Sequence, residues 1–165
     1  MLETNNTVHS FLENLLVGME MDSFFFVPSY FELYFSMNRS STDELPAYIM
    51  LMFSDFWWFG EKETWEGRVK NSGIGALDPD VTLQAAELSA LCMSANKTII
   101  SVKLEHDSVK IFFDNGSCIT SVIPEDDYDL FYLRVSDDNR EKRSDLKIWF
   151  EASHEGLFIE ILKKQ

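Results

Sequence analysis

The stretch "SFFFVPSYFELYF", residues 23–35, decides the class of fold. Apolar and polar residues alternate in its second half, so Phe31, Leu33 and Phe35 fall on one face of a strand. Pro28 and Ser29 separate this run from an earlier aromatic one, which predicts a turn between two strands. The stretch therefore predicts an antiparallel pair of strands with one buried face.

The same arrangement recurs in the second half of the chain. Shifted by 78 positions (102 − 24 = 78), the stretch aligns with "SVKLEHDSVKIFF", residues 101–113, without a gap. Identity is confined to Ser23 and Phe35 of the first stretch, and any two amphipathic strands can be aligned this well. A duplicated helix-plus-meander unit and a chance match of two strand patterns therefore both stay open.

A helix pattern precedes each of these strand regions. In "NNTVHSFLENLLVG", residues 5–18, apolar residues recur at helical spacing and Gly18 can end the helix. Asp78 and Pro79 are typical of an N-cap and a first helical position, so they predict the start of a second helix. Residues 67–80, which carry three glycines, are interpreted as a linker between the halves.

These patterns predict an α+β fold with a largely antiparallel sheet or sheets and a helix packed on each half. We expect a single globular domain over residues 1–165, with tandem repeats at 6–61 and 78–135 if the duplication is real. The last strand-length runs predict a C-terminal hairpin at 145–164. Asn115 and Gly116 predict another hairpin, closed by a type I′ turn in which both residues take a positive φ.

The charge of the chain restricts its partners. Fourteen lysines and arginines against 28 aspartates and glutamates give a formal net charge of −14. Nucleic-acid phosphates and anionic membrane surfaces repel such a molecule, so we expect neither as a direct partner. The N-terminal sequence has no secretory pattern and the apolar runs are too short to cross a membrane, which predicts a cytoplasmic protein.

The sequence contains no catalytic, cofactor-binding or metal-binding signature. Cys92 and Cys118 lack metal-ligand spacing and are expected to be buried thiols. There is no phosphate-binding glycine loop, and the three histidines lie in unrelated contexts. We therefore predict a protein that is not an enzyme and has no cofactor and no metal. An enzyme that uses His106 or His154 with nearby carboxylates is a minor alternative.

The stretch "SDFWWFGEKETWEG", residues 54–67, combines tryptophans with acids. Neighbouring residues of a strand point to opposite faces, so Trp57 and Trp58 can both be buried only if both faces of the sheet are covered. Otherwise an exposed tryptophan among acids has the composition of a protein-interface anchor. The partner-binding residues predicted in this stretch are Asp55, Trp57, Trp58, Glu61, Glu63, Trp65 and Glu66.

A second acidic segment, "PEDDYDLFYLRVSDD" at residues 124–138, brackets an aromatic strand pattern and has Arg134 as its compensating cation. It lacks the carboxylate spacing of a calcium loop. It is either a solvated edge or a docking surface for a basic partner. The partner-binding residues predicted here are Glu125, Asp126, Asp127, Asp129, Asp137 and Asp138.

In overall character the chain resembles the immunity proteins that neutralise bacterial polymorphic toxins, including those of contact-dependent growth inhibition systems. The likeness lies in small size, acidity, aromatic content and clustered acids without a catalytic motif, and no motif is shared. The resemblance implies a cytoplasmic inhibitor that binds the toxic C-terminal domain of a bacterial toxin, often a basic nuclease, with its acids imitating substrate phosphates. The alternative is a small-molecule-binding or regulatory α+β domain without catalysis, in which the aromatic stretch lines a pocket.

Overall fold

The computed structural model of the chain describes residues 5–27, 30–37, 48–53, 56–74, 78–105, 108–122, 131–135, 146–153 and 156–163. Within these ranges the elements are α1 (Asn5–Leu16), β1 (Glu20–Val27), β2 (Tyr30–Ser36), β3 (Tyr48–Phe53), β4 (Trp57–Phe59), α2 (Lys62–Asn71), α3 (Pro79–Met93), β5 (Ile99–Leu104), β6 (Ser108–Phe113), β7 (Cys118–Val122), β8 (Phe131–Val135), β9 (Leu146–Ser153) and β10 (Gly156–Lys163). The named strands pair antiparallel throughout. The prediction of an α+β fold is confirmed.

The strands form two four-stranded sheets and a hairpin. Sheet A has the order β1-β2-β3-β8, sheet B has the order β4-β7-β6-β5, and β9 pairs with β10. Each half of the chain contributes a three-stranded meander and then gives its fourth strand to the other half. Strand β4 follows β3 but pairs with β7, and β8 follows β7 but pairs with β3. The two halves are therefore joined by an exchange of strands.

The two meanders also share register details at the spacing found in the sequence. Strands β1 and β5 each have a local irregularity in their pairing, at Asp22 and Ile100 respectively. Glu20 forms an antiparallel bridge with Thr98 where the two meanders begin. Both pairs of residues are 78 positions apart (100 − 22 and 98 − 20). The halves thus have the same topology, while their origin by duplication stays a hypothesis.

The buried faces of the two sheets meet in one core. Phe35 of sheet A and Phe113 of sheet B stack with ring centroids 6.3 Å apart. Trp57 belongs to sheet B, but its ring lies 5.2 Å from Phe31 and 5.6 Å from Phe53 of sheet A. Each buried aromatic ring removes a large apolar area from water, which stabilises the fold by about 2–3 kcal/mol. These contacts hold one sheet against the other.

Helix α1 precedes the first meander but packs on the second half, and α3 precedes the second meander but packs on the first half. Helix α1 contacts β5, and α3 contacts β1 and β4. The spacing predicted for the apolar face of α1 is confirmed, because four of its residues are fully buried: Val8, Leu12, Leu15 and Leu16. The cap predicted for α3 is also confirmed, since the Asp78 carboxylate accepts hydrogen bonds from the N–H groups of Asp80 and Val81. Helices α1 and α3 therefore each tie one half to the other, while α2 packs on α3 and β4.

Two local predictions were wrong. The linker interpretation of residues 67–80 fails in its first part, because Lys62–Asn71 is helix α2. Trp65 is the buried residue of that helix, so no periodic apolar stripe marks it in the sequence. The hairpin between β6 and β7 exists, but the Gly116 N–H closes its turn by donating to Phe113 C=O at 3.0 Å. With Gly116 at φ 85°, this is the three-residue connection with a glycine bulge instead of the type I′ turn.

Gly18 lies in the connection between α1 and β1, where the backbone leaves little room for a side chain. It has φ +89°, and a Cβ placed on it would lie 2.7 Å from Cε of Met37. We expect Gly18→Ala to lower the free energy of unfolding by about 1–3 kcal/mol in urea denaturation, since the left-handed backbone strains any L side chain.

Gly67→Ala is the matched control for this substitution. Gly67 lies inside helix α2, and a Cβ there would meet nothing within 4 Å. Alanine stabilises a helix interior by about 0.5–1 kcal/mol relative to glycine, so this variant should be at least as stable as the parent. Equal losses for the two variants would contradict the described path of the chain at Gly18.

Candidate partner-binding surface

The short strand β4 places Trp57 and Trp58 on opposite faces of sheet B. Trp57 is 2% exposed and lies in the core between the sheets. Its carbonyl oxygen accepts a hydrogen bond from the side-chain amide of Gln84 on α3 at 2.6 Å. The ring is also 5.9 Å from Phe59, two residues further along the same face. Trp57 is therefore a core residue, and its burial removes it from any partner-binding surface.

Trp65 is the second tryptophan of the predicted site that belongs to the core. It is 3% exposed, and its ring lies 6.4 Å from Phe59. Its indole N–H donates to a carboxylate oxygen of Asp80 at 2.7 Å, which joins α2 to α3. The guanidinium of Arg68 lies over the ring, 5.3 Å from its centroid. Trp65 thus attaches α2 to the body of the protein.

Trp58 is the half-buried member of the three and lies on the outer face of sheet B. The strand register places it beside Thr120, which is followed across the sheet by Lys110 and Lys103. The ammonium of Lys62 lies 5.8 Å from the centroid of its ring. Its indole nitrogen is buried without a hydrogen-bond partner. Cations and acids therefore share this face, since Glu61 of the predicted ring raises the pKa values of Lys110 and Cys118 there.

Two groups on the outer face of sheet B, Cys118 and Lys110, have shifted pKa values. Burial raises the pKa of the Cys118 thiol, against the hydrogen bond with Thr120 and the charge of Lys110, which lower it. Burial lowers the pKa of Lys110, but the hydrogen bond and charge of Glu105 raise it, and the net shift is upward. Lys110 is therefore charged and Cys118 is a neutral thiol at neutral pH, so this face offers cations and no reactive thiolate.

The acids of the predicted site are exposed but are interleaved with cations. Glu61, Glu63 and Glu66 all face solvent around the first turns of α2. Lys62 lies 3.9 Å from Glu66, and Arg68 is paired with Glu87 of α3. With Lys70 also on α2, the helix has three cations, which match in number the N-cap Glu61 together with Glu63 and Glu66. The segment is therefore close to neutral and provides little field to attract a cationic partner.

Seven of the predicted partner-binding residues lie outside the described residues. They are Asp55, Glu125, Asp126, Asp127, Asp129, Asp137 and Asp138. The strand pattern between Asp129 and Asp137 corresponds to β8, Phe131–Val135, which pairs with β3 in sheet A. The six acids themselves lie on either side of this strand in the sequence.

The outer face of sheet A was missed by the sequence-based prediction. It carries partly exposed aromatic, methionine and acidic residues, among them Phe25, Glu32, Tyr34 and Met50. The alternation that placed Phe31, Leu33 and Phe35 inward also places their neighbours outward, so the signal was present. The sequence could not show which of the two sheets would present this chemistry to solvent.

The described residues contain no group of three or more metal-ligating side chains, and Cys92 and Cys118 are free thiols of intermediate exposure. Burial raises the pKa of Cys92 as well, with opposing and supporting contributions from Lys97 and Asp22. None of the described helices is long and apolar enough to cross a membrane. Comparison of the chain with protein-family models, curated proteins and solved structures finds no match.

The different roles of the adjacent tryptophans can be measured. We expect Trp57→Ala to lower the free energy of unfolding by about 3–5 kcal/mol, because it removes a ring that contacts both sheets. Trp58→Ala should lower it by about 1–2 kcal/mol, since that ring is half-exposed on an outer face. Urea denaturation followed by far-ultraviolet circular dichroism compares the two, and equal losses would contradict the assignment of Trp57 to the core.

Proposed function

We propose that this chain is a cytoplasmic immunity protein that binds the toxic C-terminal domain of a bacterial toxin and neutralises it by protein–protein association. The observation that carries the proposal is the net charge of −14 on a chain whose sequence has no catalytic signature. The toxin domain is proposed to be basic and is most simply a nuclease. The resemblance in character to immunity proteins of contact-dependent growth inhibition systems supports the same reading.

The charge supports a specific kind of partner. A nuclease needs a cationic surface to hold the phosphates of its substrate, and an acidic inhibitor is attracted to that surface by the same force. Opposite charge raises the association rate, and the attraction weakens as salt screens it. Aromatic side chains buried on contact then slow dissociation. Net acidity and exposed aromatic residues therefore serve two successive steps of one binding reaction.

Inhibition in this proposal is steric and electrostatic. An acidic protein lying over the substrate groove of a nuclease excludes the nucleic acid and occupies its phosphate-binding cations. The acids at 125–129 and at 137–138 are proposed to imitate phosphates in this way. Neither chemistry nor a cofactor is required of the inhibitor.

The proposal is tested by affinity capture from lysate of the source strain, with the tagged chain as bait and washes at low and high salt. We expect a basic toxin domain to be retained in equal stoichiometry through the high-salt wash. Expression of that domain should stop cell growth, and co-expression of this chain should restore it. Retention of no protein, or a retained domain whose toxicity is unaffected by this chain, would contradict the proposed function.

A further inference from the structure

The outer face of sheet A forms a continuous surface that combines aromatic, methionine and acidic side chains. Strand alternation brings every second residue of β1, β2 and β3 to this face, opposite the core. We call it the acidic face, and its acidic, methionine and larger aromatic members include Glu20, Asp22, Phe25, Glu32, Tyr34, Tyr48, Met50 and Met52, beside Ser23, Tyr30 and Ser36. The carbonyl of Lys97 accepts a hydrogen bond from the N–H of Met21, the residue before Asp22, and Arg134 takes the register position opposite Met50. The acids outnumber these cations.

Two of the three acidic residues of this face accept hydrogen bonds from tyrosines. The hydroxyl of Tyr34 donates to a carboxylate oxygen of Glu32 at 2.7 Å. The hydroxyl of Tyr48 donates to a carboxylate oxygen of Asp22 at 2.5 Å, across two strands. These bonds fix the carboxylates on a rigid sheet, so a partner does not have to order them on binding. The acidic face is therefore preorganised to receive cations.

Exposed apolar groups lie between these acids. The ring of Phe25 is 58% exposed and meets the ring of Tyr34 edge-on, with centroids 5.5 Å apart. Met50 and Met52 of β3 continue the face and are partly exposed. Aromatic residues and methionine are enriched at the centres of protein interfaces, and methionine adapts its shape to a partner. The face thus has the composition of an interface and not that of a fully solvated sheet.

The corresponding face of sheet B provides an internal comparison. Its outward positions lie 78 residues after those of sheet A, in the same cross-strand pairs. The corresponding residues are Phe25 and Lys103, Glu32 and Lys110, and Tyr34 and Phe112. Where Phe25 packs against Tyr34, the ammonium of Lys103 lies over the ring of Phe112. Because both sheets satisfy the same structural requirements with different residues, the fold does not dictate the chemistry of the acidic face.

We infer that the acidic face is the surface that docks a basic protein partner. The inference rests on the proposed function for the identity of that partner, and it locates the contact on sheet A instead of the β4–α2 segment. Charge complementarity favours an arginine- and lysine-rich surface, since the acids lie around an exposed aromatic and methionine centre. A second copy of this chain is disfavoured, because both copies carry a net charge of −14.

The test uses the full chain with isotope-labelled methionine methyl groups and backbone and indole nitrogens. The probe is a synthetic arginine-rich peptide, and its control is the same peptide with glutamine at every arginine. We expect the methyl signals of Met50 and Met52 to shift when the arginine peptide is added. The shifts should be smaller at high salt, and the glutamine peptide should leave both signals unchanged. The buried methyls of Met19 and Met21 report that the fold is intact.

Two signals decide against the inference. Trp58 lies on the opposite side, so a shift of its indole signal without shifts at Met50 and Met52 would place the cation-binding surface on β4–α2. Shifts of the Met50 and Met52 signals that depend on the concentration of the chain alone would mean that a second copy covers the face. Either result overturns the assignment to a basic partner.

Substitutions on the two sheets test whether the acidic face is the binding surface. Replacing Asp22 by Asn and Glu32 by Gln together keeps the hydrogen-bond acceptors but removes two charges, and it should weaken peptide binding about tenfold. Phe25→Ala should weaken it as well. The matched controls on sheet B, Lys110→Gln and Phe112→Ala, should not weaken it. Binding that is unchanged in the sheet A variants would overturn the inference.

The outcomes separate this inference from the proposed function. If a captured basic toxin binds the Asp22→Asn, Glu32→Gln chain as tightly as the parent, the immunity function stands and the location is wrong. If Met50 and Met52 respond to the arginine peptide but no basic toxin is captured, the docking surface stands and the immunity function fails.

Discussion

The crossing of the chain from sheet A to sheet B between Phe53 and Trp57 is the constraint on which the rest of the structure depends. The connection has only three residues, 54–56, so β4 must lie close to the end of β3 while pairing with another strand. Trp57 meets this demand because its ring packs back against Phe53 and Phe31. A single indole therefore lies at the junction of both sheets, and its burial makes the crossing favourable.

Exchange of the fourth strands would leave sheet edges open if nothing covered them. Gln84 of α3 donates to the carbonyl of Trp57 on the edge strand β4, and the ring nitrogen of His9 on α1 lies 2.8 Å from the carbonyl of Val102 on the edge strand β5. Unpaired edges invite association with other chains, so these side chains and their helices protect them. Both edge strands of sheet B are therefore contacted by a helix side chain.

Much of the fold could be predicted because it follows from local patterns. The alternation at Phe31, Leu33 and Phe35, the helical spacing in α1 and the Asp78 cap are all properties of neighbouring residues. The strand exchange could not be predicted, because the choice of β7 over β3 as the partner of β4 depends on contacts between distant residues such as Phe31 and Trp57. Helix α2 was missed for a related reason, since its one buried residue, Trp65, is attached through Asp80 of another helix.

The candidate site was predicted less well, because the composition of a stretch does not show which side chains point into the core and which point to solvent. The tryptophans of one short stretch separated in the structure, with Trp57 and Trp65 in the core and Trp58 on the outer face of sheet B, near Lys62. The acidic face combines residues from three strands, so no single stretch of sequence contains it. The surface is recognised only once the register of β1, β2 and β3 is known.

The joining of the two halves in one core depends on the strand exchange, which nuclear Overhauser contacts between backbone protons measure directly. We expect cross-strand contacts of Trp57 with Ser121 and of Phe59 with Ile119, together with contacts of Leu51 with Leu133. Contacts of β4 with β3, and of β8 with β7, would instead show that each half keeps its own fourth strand. That result would contradict both the exchange and the place of Trp57 between the two sheets.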